Sequence, residues 1–243
     1  MDNIQLKTRS ELKREVKDLY RGKWGTAVKL NLIPVILEIL LRIFVLVIFF
    51  AMIAIISFTG KSLDLNSAPQ MFVNASSFIE SYVGFLIGIG IMFSTLDWLR
   101  TKEAPNKVLK SVFSVFTRRY FLGTLVIQIL TNIFTIVWGL LFIIPGIVKS
   151  YSYSQAQFIF KDLVQDHYDK DISYFECISL SKEMMRGNKW RLFVLQLSFL
   201  GWDIIEFMTL GIASFWTRPY KNGTYAAFYK DLAEKTDVTF EEE

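Results

Sequence analysis

The chain has 243 residues, of which 52% are hydrophobic and 21% are charged, and its formal net charge is +4. Apolar residues are gathered into runs longer than a soluble core needs, which excludes an ordinary cytosolic enzyme and a disordered chain. The single cysteine, Cys177, and the single histidine, His167, exclude an intrachain disulfide and a Cys/His metal cluster. The sequence therefore predicts a membrane protein without a metal or another cofactor.

Four segments have the length and apolar character of membrane-spanning helices, which need about 20 residues. They are 30–58, 78–99, 120–144 and 190–210. The 29 residues before them are polar and basic and do not resemble a cleaved signal peptide, so the first span is predicted to be an uncleaved anchor. Two further segments, 146–163 and 212–232, are more polar, but they are also interpreted as spans because they belong to an internal repeat.

The repeat is defined by charged and aromatic positions. An offset of 69 residues places Lys149 on Arg218 and Tyr151 on Tyr220, and it places FKDL at 160–163 on YKDL at 229–232. A longer first copy is indicated by YRGKW at 20–24, which resembles MRGNKW at 185–190, and by LDWL at 96–99. The alternative is chance similarity among apolar segments. The repeat predicts one domain, 1–243, with units 1–104, 105–170 and 171–235 and an acidic tail at 236–243.

An amphipathic segment precedes each predicted hairpin, at 10–21, 107–116 and 172–185. A basic amphipathic helix of this kind can lie in the bilayer interface, which is where we expect all three. Ser10 and Ser173 are the predicted N-cap residues of the first and third of these helices.

The distribution of Lys and Arg predicts the orientation. Eight lie in 1–29, six in 100–119 and six in 161–191, against one in the polar insert 60–77. This bias places both termini in the cytoplasm. The predicted fold is therefore all-α, with about six transmembrane helices in three tandem hairpins and cytoplasmic amphipathic helices. Trp24, Trp98 and Trp190 are assigned to the cytoplasmic aromatic belt and Trp216 to the outer one.

Three stretches carry a resemblance to a known family. They are RSELKREVKDLYRGKWGTA at 9–27, LSKEMMRGNKWRLFVLQLSFLGW at 180–202 and TLGIASFWTRPYKNGTYAAFY at 209–229. With them the chain resembles family 975 of the domains of unknown function, which comprises integral membrane proteins, mainly of Gram-positive bacteria. The resemblance implies a multi-pass protein of a bacterial plasma membrane. It implies no activity and no catalytic residues.

Ionisable side chains inside spans are costly and mark candidate sites, at about 2.5–3.5 kcal/mol each on insertion scales. Asp203 and Glu206 are expected to approach Arg218 and Lys221 within the last hairpin. Two interpretations stay open, a structural cluster of ion pairs and a functional polar cavity. The candidate cavity residues are Lys149, Tyr151, Asp203, Glu206, Arg218, Tyr220 and Lys221. Glu38 and Arg42, one turn apart in the first span, form a candidate intramembrane pair.

Segment 146–163 is too polar to face lipid on all sides. Its polar side chains form either interhelical hydrogen bonds or a ligand pocket between repeats, and they include Ser150, Ser152, Tyr153, Ser154, Gln155 and Gln157. Asp97, Asp162 and Asp231 recur at the ends of the three return helices. A repeated structural contact is favoured over a catalytic trio.

No sequence motif of a hydrolase, a nucleotide-binding protein or a zinc protease is present. We therefore expect a protein without enzymatic activity whose polar cavity receives a small solute, an ion or a lipid headgroup. The alternative is a scaffold or accessory protein that binds lipid or a partner membrane protein in envelope protection. The expected partners are anionic lipid headgroups, a partner membrane protein or a second copy of the chain, and not nucleic acid.

Overall fold

A computed structural model describes residues 6–59, 68–166 and 172–235, and every regular element in these ranges is a helix. The helices are α1 Arg9–Tyr20, α2 Trp24–Thr59, α3 Ala68–Thr101, α4 Val108–Val112, α5 Phe121–Leu141, α6 Ile143–Tyr153, α7 Ala156–Asp166, α8 Tyr174–Met184, α9 Lys189–Leu197, α10 Leu200–Met208 and α11 Ser214–Ala233. A 3₁₀ helix, Phe113–Phe116, directly continues α4. The all-α prediction is confirmed.

Each short amphipathic helix packs against the hairpin that precedes its own in the repeat. Helix α4 lies against α2 and α3, and α8 lies against α5, α6 and α7. Helix α1 packs against α11 of the last hairpin. The three units are thus linked in a closed cycle, in which the first helix of the chain completes the last unit.

The contacts within this cycle fall at equivalent repeat positions. Val16, Val112 and Ser181 align with one another, and each is fully buried. Val16 faces Gly223, and the backbone of Val112 faces Gly90. Ser181 donates a hydrogen bond to the carbonyl of Ser152 at 2.8 Å. The three aligned residues thus each contact a neighbouring helix, through different chemical groups.

Helix α1 runs antiparallel to α11 along its whole length. The backbone N–H of Lys7, just before α1, donates to the carboxylate of Asp231 at 3.1 Å. At the other end of α1, the Tyr20 hydroxyl donates to the carbonyl of Pro219 at 3.3 Å. The buried side of α1 carries Leu12, Val16 and Tyr20, as its amphipathic pattern predicted. Its partner, however, is α11 of the same chain.

The three repeated aspartates each accept basic groups near the ends of α3, α7 and α11. Asp97 pairs with Lys161, and Asp162 accepts two hydrogen bonds from Arg100, each at 2.7 Å. Asp231 pairs with Arg191 and with Lys235. The ring of Tyr229 stacks on Phe158 at 4.8 Å, and its hydroxyl donates to Asp162 at 2.6 Å. The contacts of Asp97, Asp162 and Tyr229 join neighbouring repeat units, as the structural interpretation predicted, whereas Arg191 and Lys235 belong to the same unit as Asp231.

Glu15 on α1 connects the N-terminal segment to the end of α11. Its carboxylate accepts hydrogen bonds from the ammonium groups of Lys7 at 2.8 Å and Lys230 at 2.9 Å. Burial alone would raise the pKa of Glu15, but the hydrogen bonds from Lys7 and Lys230 outweigh burial and lower this pKa from 4.5 to about 2. The ionised form of Glu15 is therefore favoured in the folded protein.

Acid is expected to weaken the fold through Glu15. Because its folded pKa lies below the unfolded value, the stabilisation is complete above pH 5 and is lost as the pH falls towards 2. Solvent screening reduces the contribution to on the order of 1–2 kcal/mol. Denaturation measured between pH 5 and pH 2 should show a shallower loss of stability in Glu15→Gln than in the native chain. Equal slopes would contradict this role.

Several details of the sequence prediction are wrong. Thr8, not Ser10, caps α1, and it forms a capping box with Glu11. Ser173 does occupy the N-cap position of α8, but its side chain makes no capping hydrogen bond. Trp98 does not belong to an aromatic belt, since it is 1% exposed and packs 5.0 Å from the ring of Tyr20.

Two predicted continuous helices are each interrupted. Segment 190–210 divides into α9 and α10 at Ser198, whose carbonyl accepts a hydrogen bond from the Lys13 ammonium at 3.0 Å. Segment 146–163 divides into α6 and α7 next to Gln155, whose backbone N–H donates to the hydroxyl of Ser181 at 3.1 Å. At both breaks, a side chain of an amphipathic helix forms a hydrogen bond with a backbone group.

Candidate functional site

The predicted charged groups of the last hairpin do meet. Lys221 pairs with Asp203, and its ammonium lies 3.9 Å from the carboxylate of Glu206. Arg218 lies 3.8 Å from Glu206, which also accepts a hydrogen bond from Thr217 at 2.9 Å. The Asp203 carboxylate is half exposed, whereas the side chain of Lys221 is largely buried. The four charges neutralise one another, which is the arrangement expected of a structural cluster.

The other candidate residues lie apart from this cluster. The Lys149 ammonium lies 4.4 Å from the centroid of the Trp138 ring, in a cation–π contact between α6 and α5. Tyr151 donates to the side chain of Gln196 at 2.6 Å. Tyr220 packs edge-on against Phe199, with ring centroids 5.4 Å apart.

The Glu38 and Arg42 side chains lie outside the described part of the chain, although both residues belong to α2. The predicted intramembrane pair is therefore left as a prediction. The other candidates are spread over α6, α10 and α11, and Lys149 and Tyr151 of α6 contact α5 and α9.

A cavity of about 410 Å³ lies instead between α3, α5 and the α6–α7 break. This volume is within the range of small-molecule sites. Its lining is Phe85, Ile89, Met92 and Phe93 of α3, Ile127, Gln128, Thr131, Asn132, Thr135 and Ile136 of α5, and Ser150, Tyr153, Ser154, Ala156, Gln157 and Phe158 of segment 146–163. Four of the polar side chains singled out in that segment thus line a pocket between repeat units.

The polar contribution of α5 was missed in the sequence, although its signal is regular. Gln128, Thr131, Asn132 and Thr135 recur at intervals of three and four residues, which places them on one helix face. The Gln128 amide donates to the Asn132 side chain at 2.9 Å, so these groups are mutually oriented. A polar stripe on an otherwise apolar helix without charges was the available indication.

Gln157 supplies a buried acceptor at the cavity. Its side-chain N–H donates to the carbonyl of Thr124 at 3.1 Å, which fixes the orientation of the amide. Its Oε1 is buried and accepts no hydrogen bond from any described residue. Such an atom carries a desolvation cost of about 1–3 kcal/mol unless a donor reaches it. A bound hydroxyl or amide would satisfy it.

The chemistry of the cavity is neutral. None of the described lining residues is Asp, Glu, Lys, Arg, His or Cys. Phenylalanine and aliphatic side chains surround the amides and hydroxyls, so the cavity is suited to a ligand with an apolar body and an uncharged polar group. An ion would lack a counter-charge here.

Two described segments, Ser81–Thr101 and Phe121–Leu141, are long and apolar enough to cross a membrane. The second has little of its surface covered by the rest of the chain, as Leu140 at 82% exposed illustrates. Together with the all-helical fold, this indicates a helical protein associated with a membrane. The chain belongs to the family described as "Protein of unknown function (DUF975)", whose model matches residues 1–152 and 141–236.

The family expected from the sequence is thus confirmed over nearly the whole chain. No curated protein and no solved structure matches the chain.

Proposed function

We propose that this protein is a multi-pass protein of a bacterial plasma membrane that binds an uncharged amphiphile in the cavity between α3, α5 and α7. The observation that carries the proposal is a neutral pocket of about 410 Å³ lined by amides, hydroxyls and apolar side chains, with Gln157, whose Oε1 is unsatisfied, among the lining residues. A hydroxyl-bearing neutral lipid has both required parts, a donor for this oxygen and an apolar body. Binding without chemical conversion fits a lining whose polar groups are amides and hydroxyls.

The position of α5 supports access from the bilayer. Its outward surface is largely uncovered, as at Ile133 and Val137, which are each about half exposed. Its opposite surface carries Gln128 and Thr131 towards the cavity. A lipid lying against α5 is therefore one helix away from the polar groups. This arrangement favours a lipidic ligand over a solute dissolved in water.

The charge distribution and the contact of α1 with α11 support a membrane topology for the proposed protein. We infer six membrane-inserted helical segments in three hairpins, with both termini cytoplasmic. Arg14 and Asp18 on α1 are exposed, so the outer side of α1, which covers the second half of α11, is assigned to the water side, and within the last hairpin α10 and the start of α11 are the parts assigned to the bilayer. A reporter fused after Glu243 should read cytoplasmic, and an extracytoplasmic signal would contradict this topology.

Replacing Gln157 by leucine is expected to weaken ligand binding. The change removes the acceptor oxygen and keeps an apolar side chain in the lining, at a cost of about three- to tenfold in affinity. The measurement is a calorimetric titration of the purified protein in detergent micelles with 1,2-dioctanoylglycerol. Dioctanoyl phosphatidic acid, which carries a charge, should bind more weakly than the neutral lipid.

Gln196→Leu is the matched control, since Gln196 is exposed on α9 and lies outside the cavity lining. Its affinity for dioctanoylglycerol should equal that of the native chain. Equal binding by the Gln157→Leu variant, or a preference for phosphatidic acid, would contradict the proposal. A scaffold role would then be the better description.

A further inference from the structure

The three repeated aspartates differ in how completely the chain itself surrounds them. The Asp231 side chain is fully buried, that of Asp162 is 14% exposed and that of Asp97 is 49% exposed. Asp231 accepts hydrogen bonds from the guanidinium of Arg191, the ammonium of Lys235 and the backbone N–H of Lys7. Asp97 accepts a hydrogen bond from Lys161. Asp97 is therefore the copy with room for an N–H donor from outside the chain.

A cleft of about 330 Å³ lies beside Asp97, between the end of α3, the connecting segment and α4 with its 3₁₀ continuation. Glu103 adds a second carboxylate, and Lys110 contributes a cation. The hydroxyls at the cleft belong to Ser94, Thr101, Ser111 and Ser114. Both signs of charge thus border one polar cleft. It is separate from the neutral cavity, with which it shares no lining residue.

Trp98 supplies the observation that points to a ligand. It lines the cleft and is 1% exposed, and its indole N–H is buried without an acceptor among the described residues. The equivalent positions in the other two units are Leu163 and Leu232, so this N–H belongs to the Asp97 copy alone. An indole N–H is a donor only and requires an acceptor oxygen.

We propose that this cleft binds the headgroup of an aminophospholipid, with the ammonium at Asp97 and Glu103 and the phosphate at Trp98 and Lys110. In both contacts at least one partner of the hydrogen bond is charged. Such hydrogen bonds are stronger than those between two neutral groups. Helix α4 and its continuation leave Leu109, Phe113 and Phe116 exposed. These apolar side chains suit the bilayer interface and favour a lipid over a soluble zwitterion.

The test is competition among phospholipids for the purified full-length protein, read by native mass spectrometry from detergent micelles. Phosphatidylethanolamine, phosphatidylcholine and phosphatidylglycerol with identical acyl chains are supplied in equal amounts. Phosphatidylethanolamine should be retained preferentially, because the choline headgroup has no N–H to donate and the glycerol headgroup has no cation. Equal retention of the three lipids would overturn the proposal.

Three variants locate the binding site. Trp98→Phe keeps an aromatic ring, although a smaller one, and removes the N–H, and it should lower retention of phosphatidylethanolamine about tenfold. Glu103→Gln changes an exposed side chain, so it tests the site even if Trp98→Phe folds poorly, and it should lower retention about threefold. Lys107→Gln, an exposed lysine outside the cleft lining, is the control and should have no effect.

A soluble arm distinguishes the source of the headgroup. Glycerophosphoethanolamine at the same concentration should fail to displace the lipid. Displacement at equal concentration would overturn the lipid assignment in favour of a soluble zwitterion. Retention unchanged in both Trp98→Phe and Glu103→Gln would show that the lipid binds elsewhere and would overturn the site.

Discussion

Replacing Asp231 by alanine is expected to lower the free energy of unfolding by about 3–5 kcal/mol, the usual cost of removing one partner of a buried ion pair. Its side chain is fully buried, and it receives Arg191, the Lys235 ammonium at 2.7 Å and the Lys7 backbone N–H at 3.1 Å. The variant leaves the largely buried guanidinium of Arg191 without its carboxylate. Loss of helical signal in denaturant, followed by circular dichroism in micelles, measures the change.

Glu234→Ala is the matched control for Asp231→Ala. Glu234 lies one turn from Lys230 with a carboxylate 3.5 Å from the ammonium, and its side chain is 53% exposed. An exposed pair of this kind contributes about 0–1 kcal/mol. If the two variants lost the same stability, the stabilising role of the buried Asp231 cluster would be refuted.

Gly90→Ala is the second substitution with a large expected effect. A methyl group at Gly90 would overlap the backbone carbonyl oxygen of Val112, which cannot move without displacing α4. The same contact is bordered by a small apolar cluster that includes Leu30, Ile87 and Ile91. Overpacking of this kind costs about 1–3 kcal/mol. The thermal midpoint of helix loss should therefore fall.

Gly84→Ala and Gly88→Ala provide controls on the same helix. A methyl group at either position meets no atom within 4 Å. Alanine in a helix interior is favoured over glycine by roughly 0.5–1 kcal/mol, so both should be neutral or slightly stabilising. A neutral Gly90→Ala, or equal losses at all three positions, would contradict the close approach of α3 and α4.

The repeat was predictable because charged and aromatic positions align across the units. YRGKW and MRGNKW each contain a glycine with positive φ, Gly22 at 74° and Gly187 at 80°, just after an amphipathic helix. Glycine adopts this conformation without steric cost, so a local sequence signal reports a local backbone requirement. Asp97, Asp162 and Asp231 each accept basic groups, but the partners come from different positions of the repeat.

The partners of the amphipathic helices were not predictable. A hydrophobic face shows that Leu12 and Val16 are buried, but it does not show what buries them. The hydrophobic face of α1 could be buried equally well by the bilayer interface or by the side of α11, and the sequence pattern is the same in both cases. The helix breaks at Ser198 and Gln155 depend on side chains distant in sequence, Lys13 and Ser181, and no local pattern reports them.

The sequence predicted only part of the candidate site, because attention fell on the charged residues and not on the neutral polar ones. Costly charges such as Asp203 and Lys221 drew attention, yet they neutralise one another. The neutral polar residues at the cavity, among them Gln128 and Gln157, carry no charge, so they do not stand out in the sequence as the charged residues of the spans do. They can be recognised only in the structure, where the helices bring them to one cavity and the Oε1 of Gln157 has no hydrogen-bond donor among the described residues.

Photo-crosslinking with a diacylglycerol that carries a diazirine near its hydroxyl group tests the central claim most directly, because it shows where the neutral lipid binds. Adducts mapped by mass spectrometry should concentrate on the cavity lining, at Met92 of α3 and Thr131 of α5, and unlabelled dioctanoylglycerol should suppress them. Adducts confined to the exposed residues Phe207 and Met208 of α10, and insensitive to competitor, would contradict binding in the cavity.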